Sequence, residues 1–352
     1  MIEAAVLRGA GLPLAIERLT LEGPRDDEVL VRVAACGICR TDIDYCEGGV
    51  SGAAVLGHEG AGIVQELGRA VKGIRRGDHV VLSYQSCGSC EACAADHPAG
   101  CRHFWDLNFG FERLDGSSAY EAAGLRGHFF GQSAFATYAL ATTRNLVKVD
   151  KSLPLELLAP LGCGLQTGAG TVLNSLDVKA GRSIAIFGVG AVGLAAVMAA
   201  RIVGAYPIVA VDLRRRRLAL ARELGATHTV DPRKADVGAR IARITGGGVD
   251  HVVEGTGDAA LDRTGRALLR PGGSMARLTG GGGMELSEGR SVLGVIQGDA
   301  VPQRFIPRLI GLWREGRFPI ERLVRVYDFA DINRAIADAG SGRTVKAVLR
   351  MR

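Results

Sequence analysis

The residues that most clearly indicate chemistry are four closely spaced cysteines. Half of the chain's eight cysteines fall in the stretch SCGSCEACAADHPAGC, at Cys87, Cys90, Cys93 and Cys101. Thiolates at such short spacings can surround one tetrahedral zinc ion, and four protein ligands leave no position for a substrate. A redox CxxC pair is the alternative, but it has no use for two further cysteines. The spacing therefore predicts a structural zinc site that anchors a loop.

Three further candidate ligands lie far apart in the sequence. Cys39, His58 and Cys163 occur in the glycine-rich stretches CGICRTD, LGHEGAG and LGCGLQTG. Any one of them alone is better explained as a buried thiol or a satisfied core histidine. Together, two sulfurs and one imidazole form the ligand set of a catalytic zinc that keeps its fourth position open for water or substrate. We therefore expect a second, catalytic zinc ion at these residues.

A dinucleotide-binding pattern occupies residues 183–212. The apolar run SIAIF leads into Gly188, Gly190 and Gly193 in a GxGxxG pattern, followed by an alanine-rich helical stretch and a second apolar run ending at Asp212. This order of strand, turn, helix and strand lets the backbone approach a pyrophosphate at a helix N-terminus. The carboxylate lies about where one binds the adenosine ribose, and it would repel a 2′-phosphate. NAD is therefore favoured over NADP.

Four consecutive arginines, Arg214 to Arg217, complicate this preference. A guanidinium just after the second strand is able to bind the 2′-phosphate of NADP. The same run is also typical of the solvated first turn of a helix. The residues alone leave both interpretations open, with NAD preferred because of Asp212.

Length and composition limit the class of protein. A chain of 352 residues is long for one hydrophobic core and suits two domains. The net charge of +6 is modest and aromatic residues make up only 5%, which argues against a nucleic-acid partner. No apolar run reaches the roughly 18 residues of a membrane span, and the N-terminus does not resemble a signal peptide. We expect a soluble cytoplasmic protein.

The remaining patterns predict the elements that position these residues. Short β-type runs such as EVLVRVAAC, GAGIVQEL and DHVVLSY predict an irregular β-rich domain over residues 1–164. GVDHVVEGTG and RPGGSMARLTG predict later strands of a parallel sheet, so residues 165–296 form a doubly wound α/β cofactor domain. The tail 297–352 is expected to pack on the first domain. Fifty glycines, clustered at GVGAVG, TGGGV and LTGGGGM, indicate tight turns.

In this order, the motifs resemble the zinc-dependent medium-chain alcohol dehydrogenases over essentially the whole chain. The stretches HFFGQSAFATYAL and APLGCGLQTGAGTVLNSL are most similar to the aryl-alcohol (benzyl-alcohol) dehydrogenases within that family. The resemblance implies a GroES-like catalytic domain, a Rossmann domain, NAD, one catalytic and one structural zinc, and a homo-dimer or homo-tetramer. It also implies that zinc acts as a Lewis acid on an alcohol oxygen while hydride passes from carbon to the nicotinamide.

The resemblance implies roles for individual residues as well. Asp42 would orient the liganding His58, Glu59 would approach the metal, and Thr41 would accept the alcohol proton. The residues implied to contact the cofactor are Arg40, Thr167, Gly188, Gly190, Val192, Gly193, Asp212, Arg217 and Lys346. The best-known members have a histidine at the end of the proton relay, where this chain has Asp44. An aspartate can serve there only with a raised pKa or by ordering water.

For the substrate, the resemblance implies a channel lined by Phe129 and Phe130, with Ser83 where other members place a bulky aromatic. Aromatic walls opposite a small residue suit a flat ring, although core packing explains the phenylalanine pair equally well. We therefore expect oxidation of primary aromatic alcohols to aldehydes. Allylic terpenoid alcohols such as geraniol, or polyols, are the alternative substrates. A non-enzymatic regulator that binds NAD and zinc is the alternative from another class.

Overall fold

Strands form where the sequence carries short runs of valine, isoleucine and alanine bounded by turn residues. The computed structural model describes residues 1–122, 124–279 and 284–351, so the glycine cluster at 280–283 lies outside the described residues. The strands are β1 (Ile2–Leu7), β2 (Ala15–Leu19), β3 (Glu28–Gly37), β4 (Ala53–Val55), β5 (Glu59–Leu67), β6 (His79–Leu82), β7 (Leu125–Arg126), β8 (Tyr138–Thr142), β9 (Leu146–Val149), β10 (Ile184–Phe187), β11 (Ile208–Val211), β12 (His228–Val230), β13 (Val249–Glu254), β14 (Leu269–Arg277), β15 (Met284–Glu285), β16 (Ser291–Gly294), β17 (Val324–Asp328) and β18 (Lys346–Arg350).

The helices follow local start and stop signals. The α-helices are α1 (Arg40–Gly48), α2 (Glu91–Ala94), α3 (Phe104–Phe109), α4 (Leu155–Leu158), α5 (Gly164–Gly170), α6 (Ala191–Val203), α7 (Arg215–Leu224), α8 (Val237–Thr245), α9 (Ala259–Leu268), α10 (Pro302–Arg314) and α11 (Ile332–Gly340). Asp236 and Asp258 cap α8 and α9 with side-chain oxygens that accept backbone N–H groups. Gly204 ends α6 in the left-handed region. None of the described helices is long and apolar enough to cross a membrane.

The first compact unit comprises Met1–Cys163, Val301–Gly311 and Ile320–Arg352. It contains a four-stranded sheet in the order β2-β1-β4-β7 and a larger sheet in the order β17-β18-β3-β5-β6-β9, with β8 also paired to β3. The C-terminal strand β18 runs antiparallel to β3, with Val348 opposite Gly37. This pairing joins the tail to the first unit, and it brings the C-terminal strand next to the start of α1.

The second unit comprises Gly164–Ala300 and Leu312–Pro319. Its sheet has the order β12-β11-β10-β13-β14-β16-β15, and every pair is parallel except β15 with β16. The first six of these strands reproduce the 3-2-1-4-5-6 order of a dinucleotide-binding sheet. Its core includes Phe187, Val209, Val252 and Met275, all without solvent exposure. The predicted fold class, a β-rich domain with a doubly wound α/β domain, is confirmed.

The division of the chain differs in detail from the predicted boundaries. Residues 297–300 and 312–319 group with the second unit, whereas the sequence placed them with the first. For the first segment the reason is a close backbone approach within the second unit: a Cβ at Gly298 would lie 2.7 Å from the Cα of Gly170. Asn174 Nδ2 donates to the Gly298 carbonyl at 3.0 Å, and Ser175 Oγ donates to Asp299 at 2.5 Å. These contacts fix the segment against α5 and the turn that follows it.

Candidate active site and zinc centres

The three predicted catalytic ligands come together in the first unit. Cys39 precedes α1, His58 precedes β5 and Cys163 ends the first unit's N-terminal segment. Their ligand atoms lie within 4.8 Å of one another. Zinc bonds of about 2.0 to 2.3 Å in a tetrahedron place ligand atoms roughly 3.5 to 3.8 Å apart. Small side-chain shifts therefore allow all three to bind one ion.

The imidazole of His58 is oriented for metal binding by Asp42. His58 Nδ1 lies 3.0 Å from Asp42 Oδ1, and both side chains are completely buried. The same carboxylate accepts the N–H of Cys39 at 2.9 Å and that of Gly57 at 3.2 Å. Although Nε2 of His58 is buried, no described residue forms a hydrogen bond with it. A buried ring nitrogen with no such partner, facing two sulfurs, fits a zinc ligand.

The electrostatics of this cluster favour a cation at its centre. The hydrogen bond from Cys163 and the charge of His58 hold the pKa of Cys39 well below its usual value, although burial opposes this. Burial lowers the pKa of His58, but Asp42 and Cys39 outweigh that effect and raise it to about 10. Asp42 and the Cys39 thiolate thus stabilise positive charge at the buried His58 ring. A zinc ion would supply that positive charge in place of the proton on the ring.

The four clustered cysteines form the second candidate zinc centre. The sulfurs of Cys87, Cys90, Cys93 and Cys101 lie within 4.8 Å of one another, and those of Cys87 and Cys93 are 4.0 Å apart. Burial raises the pKa of Cys87, but backbone N–H groups at Ser89 and Cys90 contribute to an overall lowering to about 5. The N–H of Cys87 also donates to Cys101 Sγ at 3.3 Å. Four thiol ligands with backbone donors fit a closed structural zinc site.

Glu59 and Lys346 form a buried ion pair. Lys346 Nζ lies 2.9 Å from both carboxylate oxygens of Glu59 and 3.1 Å from the carbonyl of Ile38. The lysine side chain is only 3% exposed, and that of Glu59 is completely buried. These three partners use all three donors of the ammonium group. The predicted contact between Lys346 and a cofactor pyrophosphate stays a prediction, and it would have to replace one of these bonds.

The space for this carboxylate comes from Gly37. A Cβ at Gly37 would lie 2.0 Å from Glu59 Oε2, so any larger residue would displace the ion pair. Burial raises the pKa of Glu59, while the charge of Lys346 opposes the rise. The predicted approach of Glu59 to the metal stays a prediction.

Helix α1 carries the predicted relay residues. The hydroxyl of Thr41 lies 3.9 Å from Cys39 Sγ, next to the catalytic ligands. Asp44 points away from them: its carboxylate is 53% exposed and lies 2.6 Å from Arg40 Nη2. Arg40 is itself 68% exposed. The helix thus places Thr41 at the site, whereas Asp44 is engaged with Arg40 at the surface.

The predicted substrate residues are Phe129, Phe130 and Ser83, and the two phenylalanines lie against the His58 ring. Phe130 stacks on the His58 ring with centroids 4.3 Å apart, and Phe129 meets the same ring edge-on at 5.3 Å. Ser83 is completely buried, and its hydroxyl donates to the carbonyl of Gly162 at 2.7 Å. Its side chain supports the segment that leads to Cys163, and contact of Ser83 with the substrate stays a prediction.

Gln132 is a functional residue that the sequence reasoning missed. Its buried amide donates to the carbonyls of His58 and Ser83, both at 3.0 Å, and its oxygen accepts the N–H of Gly60 at 3.0 Å. One side chain thus ties the His58 segment to the Ser83 segment. Its only signal in the sequence is its place just after the phenylalanine pair, since a single glutamine has no motif of its own.

In the second unit, the glycine turn has the geometry of a nucleotide site. Gly188 has φ +82°, and a Cβ at Gly193 would lie 2.0 Å from the Gly188 carbonyl oxygen. Around Gly190 the nearest atom to a Cβ would be Arg217 Nη1 at 3.8 Å. Gly188 and Gly193 are therefore required by the fold, and Gly190 keeps the turn open toward a ligand.

The adenosine end of the site is organised by Asp212. Its carboxylate accepts the N–H of Val189 at 3.0 Å and that of Arg214 at 2.7 Å. Arg217 Nη1 lies 3.8 Å from the same carboxylate, and no described residue forms a hydrogen bond with its buried Nε. The other arginines of the run, Arg214 to Arg216, are exposed. The exposure of these three arginines matches the interpretation of the run as a solvated helix turn. Of the four arginines, Arg217 alone lies toward the glycine turn.

Thr167 and Val192 are the remaining predicted cofactor residues. Thr167 lies on α5 and Val192 on α6, and both are partly exposed. The two helices approach closely, since a Cβ at Gly168 would lie 2.0 Å from the Val192 carbonyl oxygen. Contact of either residue with NAD stays a prediction.

Comparisons with known proteins identify the family. Residues 25–151 match the alcohol dehydrogenase GroES-like domain, and residues 191–306 match the zinc-binding dehydrogenase family. A geraniol dehydrogenase from Castellaniella defragrans is 44% identical, over 99% of this chain and 97% of that protein.

Two solved structures are similar throughout. An alcohol dehydrogenase zinc-binding domain protein from Burkholderia ambifaria is 50% identical, with a TM-score of 0.96, over 100% of this chain and 99% of the other. A benzyl alcohol dehydrogenase from Acinetobacter calcoaceticus is 41% identical, with a TM-score of 0.95 and the same coverage. The predicted family and its cofactors, zinc and NAD, are thereby confirmed. This chain belongs to the zinc-dependent medium-chain alcohol dehydrogenases, which act on small-molecule alcohols and aldehydes.

Proposed function

We propose that this enzyme oxidises primary aromatic alcohols of the benzyl type to aldehydes with NAD. The observation that carries this proposal is the pair of phenylalanine rings against His58, at 4.3 and 5.3 Å between centroids. Rings that bracket a metal ligand favour a substrate whose reacting carbon is attached to a flat apolar group. The similarity to a benzyl alcohol dehydrogenase supports the same substrate class.

The residues of the chain have separate tasks in this reaction. Cys39, His58 and Cys163 would hold the zinc ion, which would supply Lewis-acid activation of the alcohol oxygen. Asp42 fixes the His58 ring through the 3.0 Å contact with Nδ1. Thr41, placed beside Cys39, accepts the alcohol proton, and the buried phenylalanines keep water from the reacting groups. Asp212 and the glycine turn of the second unit bind NAD.

The test is initial-rate formation of NADH on benzyl alcohol, geraniol, ethanol and sorbitol, each with NAD and with NADP. We expect the highest kcat/KM for benzyl alcohol with NAD, because two phenylalanine rings pack around His58 and Asp212 disfavours a 2′-phosphate. A preference for ethanol or sorbitol would contradict the aromatic-alcohol proposal. A preference for NADP would contradict the role given to Asp212.

Geraniol is the second candidate substrate, since a geraniol dehydrogenase is 44% identical to this chain. An allylic alcohol also presents a flat unsaturated group next to the reacting carbon, so aromatic walls accept it too. The ratio of kcat/KM for benzyl alcohol to that for geraniol decides between them. A ratio above one favours the aryl-alcohol proposal.

We further propose that Asp44 orients Arg40 and is not the end of a proton relay. Its carboxylate is exposed and paired with Arg40 through contacts of 2.6 and 2.7 Å. Asp44→Asn is expected to raise KM for NAD about two- to five-fold, because the loss of an exposed ion pair changes an equilibrium constant by about that factor. The pH profile of kcat should stay unchanged. Glu47→Gln is the matched control, since Glu47 lies 3.6 Å from the same guanidinium. A loss of kcat of tenfold or more in the Asp44 variant, with a changed pH profile, would restore the relay.

Assembly and location rest on the family resemblance and on the composition. We propose a homo-dimer or homo-tetramer that acts in the cytoplasm. Light scattering on the purified protein measures the number of subunits directly.

A further inference from the structure

A series of aromatic ring contacts in the first unit leads from the protein surface to His58. Trp105 contacts Phe109 with ring centroids 5.1 Å apart, and Phe109 contacts Phe130 at 4.9 Å. Phe130 in turn stacks on His58 at 4.3 Å. These three rings, Trp105, Phe109 and Phe130, are called the aromatic stripe below.

Solvent exposure falls steadily along the aromatic stripe. Trp105 is 61% exposed, Phe109 is half-buried, Phe130 is 3% exposed and His58 is completely buried. Leaving most of a tryptophan in water sacrifices much of the stabilisation that burying its ring would give. Trp105 begins an unbroken series of ring contacts that ends at a candidate metal ligand. Its exposed ring therefore marks a position where we expect a ligand to bind.

The backbone that supports the inner rings is held in an unusual conformation. Phe111 and Phe130 have φ of +61° and +55°, a region that bulky residues rarely adopt. Phe111 stacks on Phe129 at 5.0 Å, and Phe130 lies on His58. Ser133 Oγ accepts the N–H of Phe129 at 2.9 Å and Asn145 Nδ2 donates to the Phe130 carbonyl at 3.2 Å. Such conformations persist when the surroundings enforce them, and they cluster at functional sites.

We propose that Trp105 and Phe109 form an access surface on which the flat apolar part of the alcohol stacks before it reaches the zinc site. The proposal rests on the proposed function, because it concerns the substrate of the same site. It names the class more closely: an alcohol whose hydroxymethyl group is attached to a planar ring or a conjugated chain. Polyols and short alkyl alcohols have no such face and gain nothing from these rings.

The first test compares Trp105→Ala with Trp105→Phe. An aromatic contact is worth about 0.5–1.5 kcal/mol, so the alanine variant should raise KM for benzyl alcohol about three- to tenfold, with kcat within about twofold. The phenylalanine variant should keep KM within about twofold, and KM for ethanol should not change in either. Leu12→Ala is the matched control, since Leu12 is another exposed apolar residue of the same unit, at 54%. Equal losses on both alcohols, or no change on either, would overturn the proposal.

The second test measures binding without turnover. The chain has two tryptophans, so Trp313→Phe leaves Trp105 as the only one. Benzyl alcohol added without NAD should shift the Trp105 emission to shorter wavelength, whereas ethanol at the same concentration should not. The Phe109→Ala change in this background should weaken the response. An emission unaffected by benzyl alcohol would contradict the access surface.

The two proposals fail in different ways. If geraniol is a better substrate than benzyl alcohol, the aryl-alcohol function falls, and the Trp105 variants are measured with geraniol. A KM increase confined to geraniol would then support the access surface. If benzyl alcohol is the best substrate and Trp105→Ala leaves its KM unchanged, the function stands and the access surface falls.

Discussion

Replacing Cys39 by serine is expected to lower kcat/KM for the best alcohol by at least about 1000-fold. The reason is the loss of Lewis-acid stabilisation, which is worth several kcal/mol of barrier. The variant should also hold one zinc per chain where the parent holds two, because the four-cysteine centre is a separate set of ligands. Metal analysis by mass spectrometry and initial rates on the same preparation measure both effects.

Cys46→Ala is the matched control for this experiment. Cys46 is another buried thiol, on α1, and it belongs to neither group of candidate ligands. It should keep two zinc ions and nearly full activity. A Cys39→Ser enzyme that keeps its activity would contradict the assignment of the catalytic zinc. Loss of both zinc ions would show instead that the substitution unfolds the first unit.

The zinc ligands were predictable because ligand chemistry restricts residue type more than position. Four cysteines within fifteen residues can reach one metal ion through local turns, so the prediction of the Cys87 to Cys101 centre needed no knowledge of the overall fold. Cys39, His58 and Cys163 could be grouped only on the assumption that the fold brings them together. The order of the motifs, which is typical of the family, supported that assumption. The glycine turn was predictable for a similar reason, since Gly188 has a positive φ and Gly193 packs against the Gly188 carbonyl, and both restrict the residue to glycine.

Roles that depend on long-range pairing were not predictable in this way. Lys346 lies 287 positions after Glu59, and the antiparallel pairing of β3 with both β18 and β5 brings the two together. The left-handed conformation of Phe130 likewise depends on Ser133 and Asn145. Each of these features is decided by a partner whose identity the local sequence does not specify.

The second large effect is expected from the buried Glu59–Lys346 pair. Lys346→Met leaves a completely buried carboxylate without its cation, and breaking such a pair costs about 3–5 kcal/mol of unfolding free energy. The melting temperature should therefore fall by roughly 10 °C. Thermal unfolding followed by circular dichroism measures it. Lys179→Met is the control for an exposed pair, since Lys179 and Asp177 are both about two-thirds exposed, and it should cost under about 1 kcal/mol.

The double variant Glu59→Gln/Lys346→Met separates the charge from the packing. Removing both charges also removes the cost of burying an unpaired one, so the double variant should recover most of the lost melting temperature. A glutamine keeps the size of Glu59 and fits the space that Gly37 leaves. The opposite pattern, an unchanged melting temperature with a KM for NAD raised tenfold or more in Lys346→Met, would place the lysine on the pyrophosphate after all. The ion pair predicts a stability effect first, because all three ammonium donors are engaged within the protein.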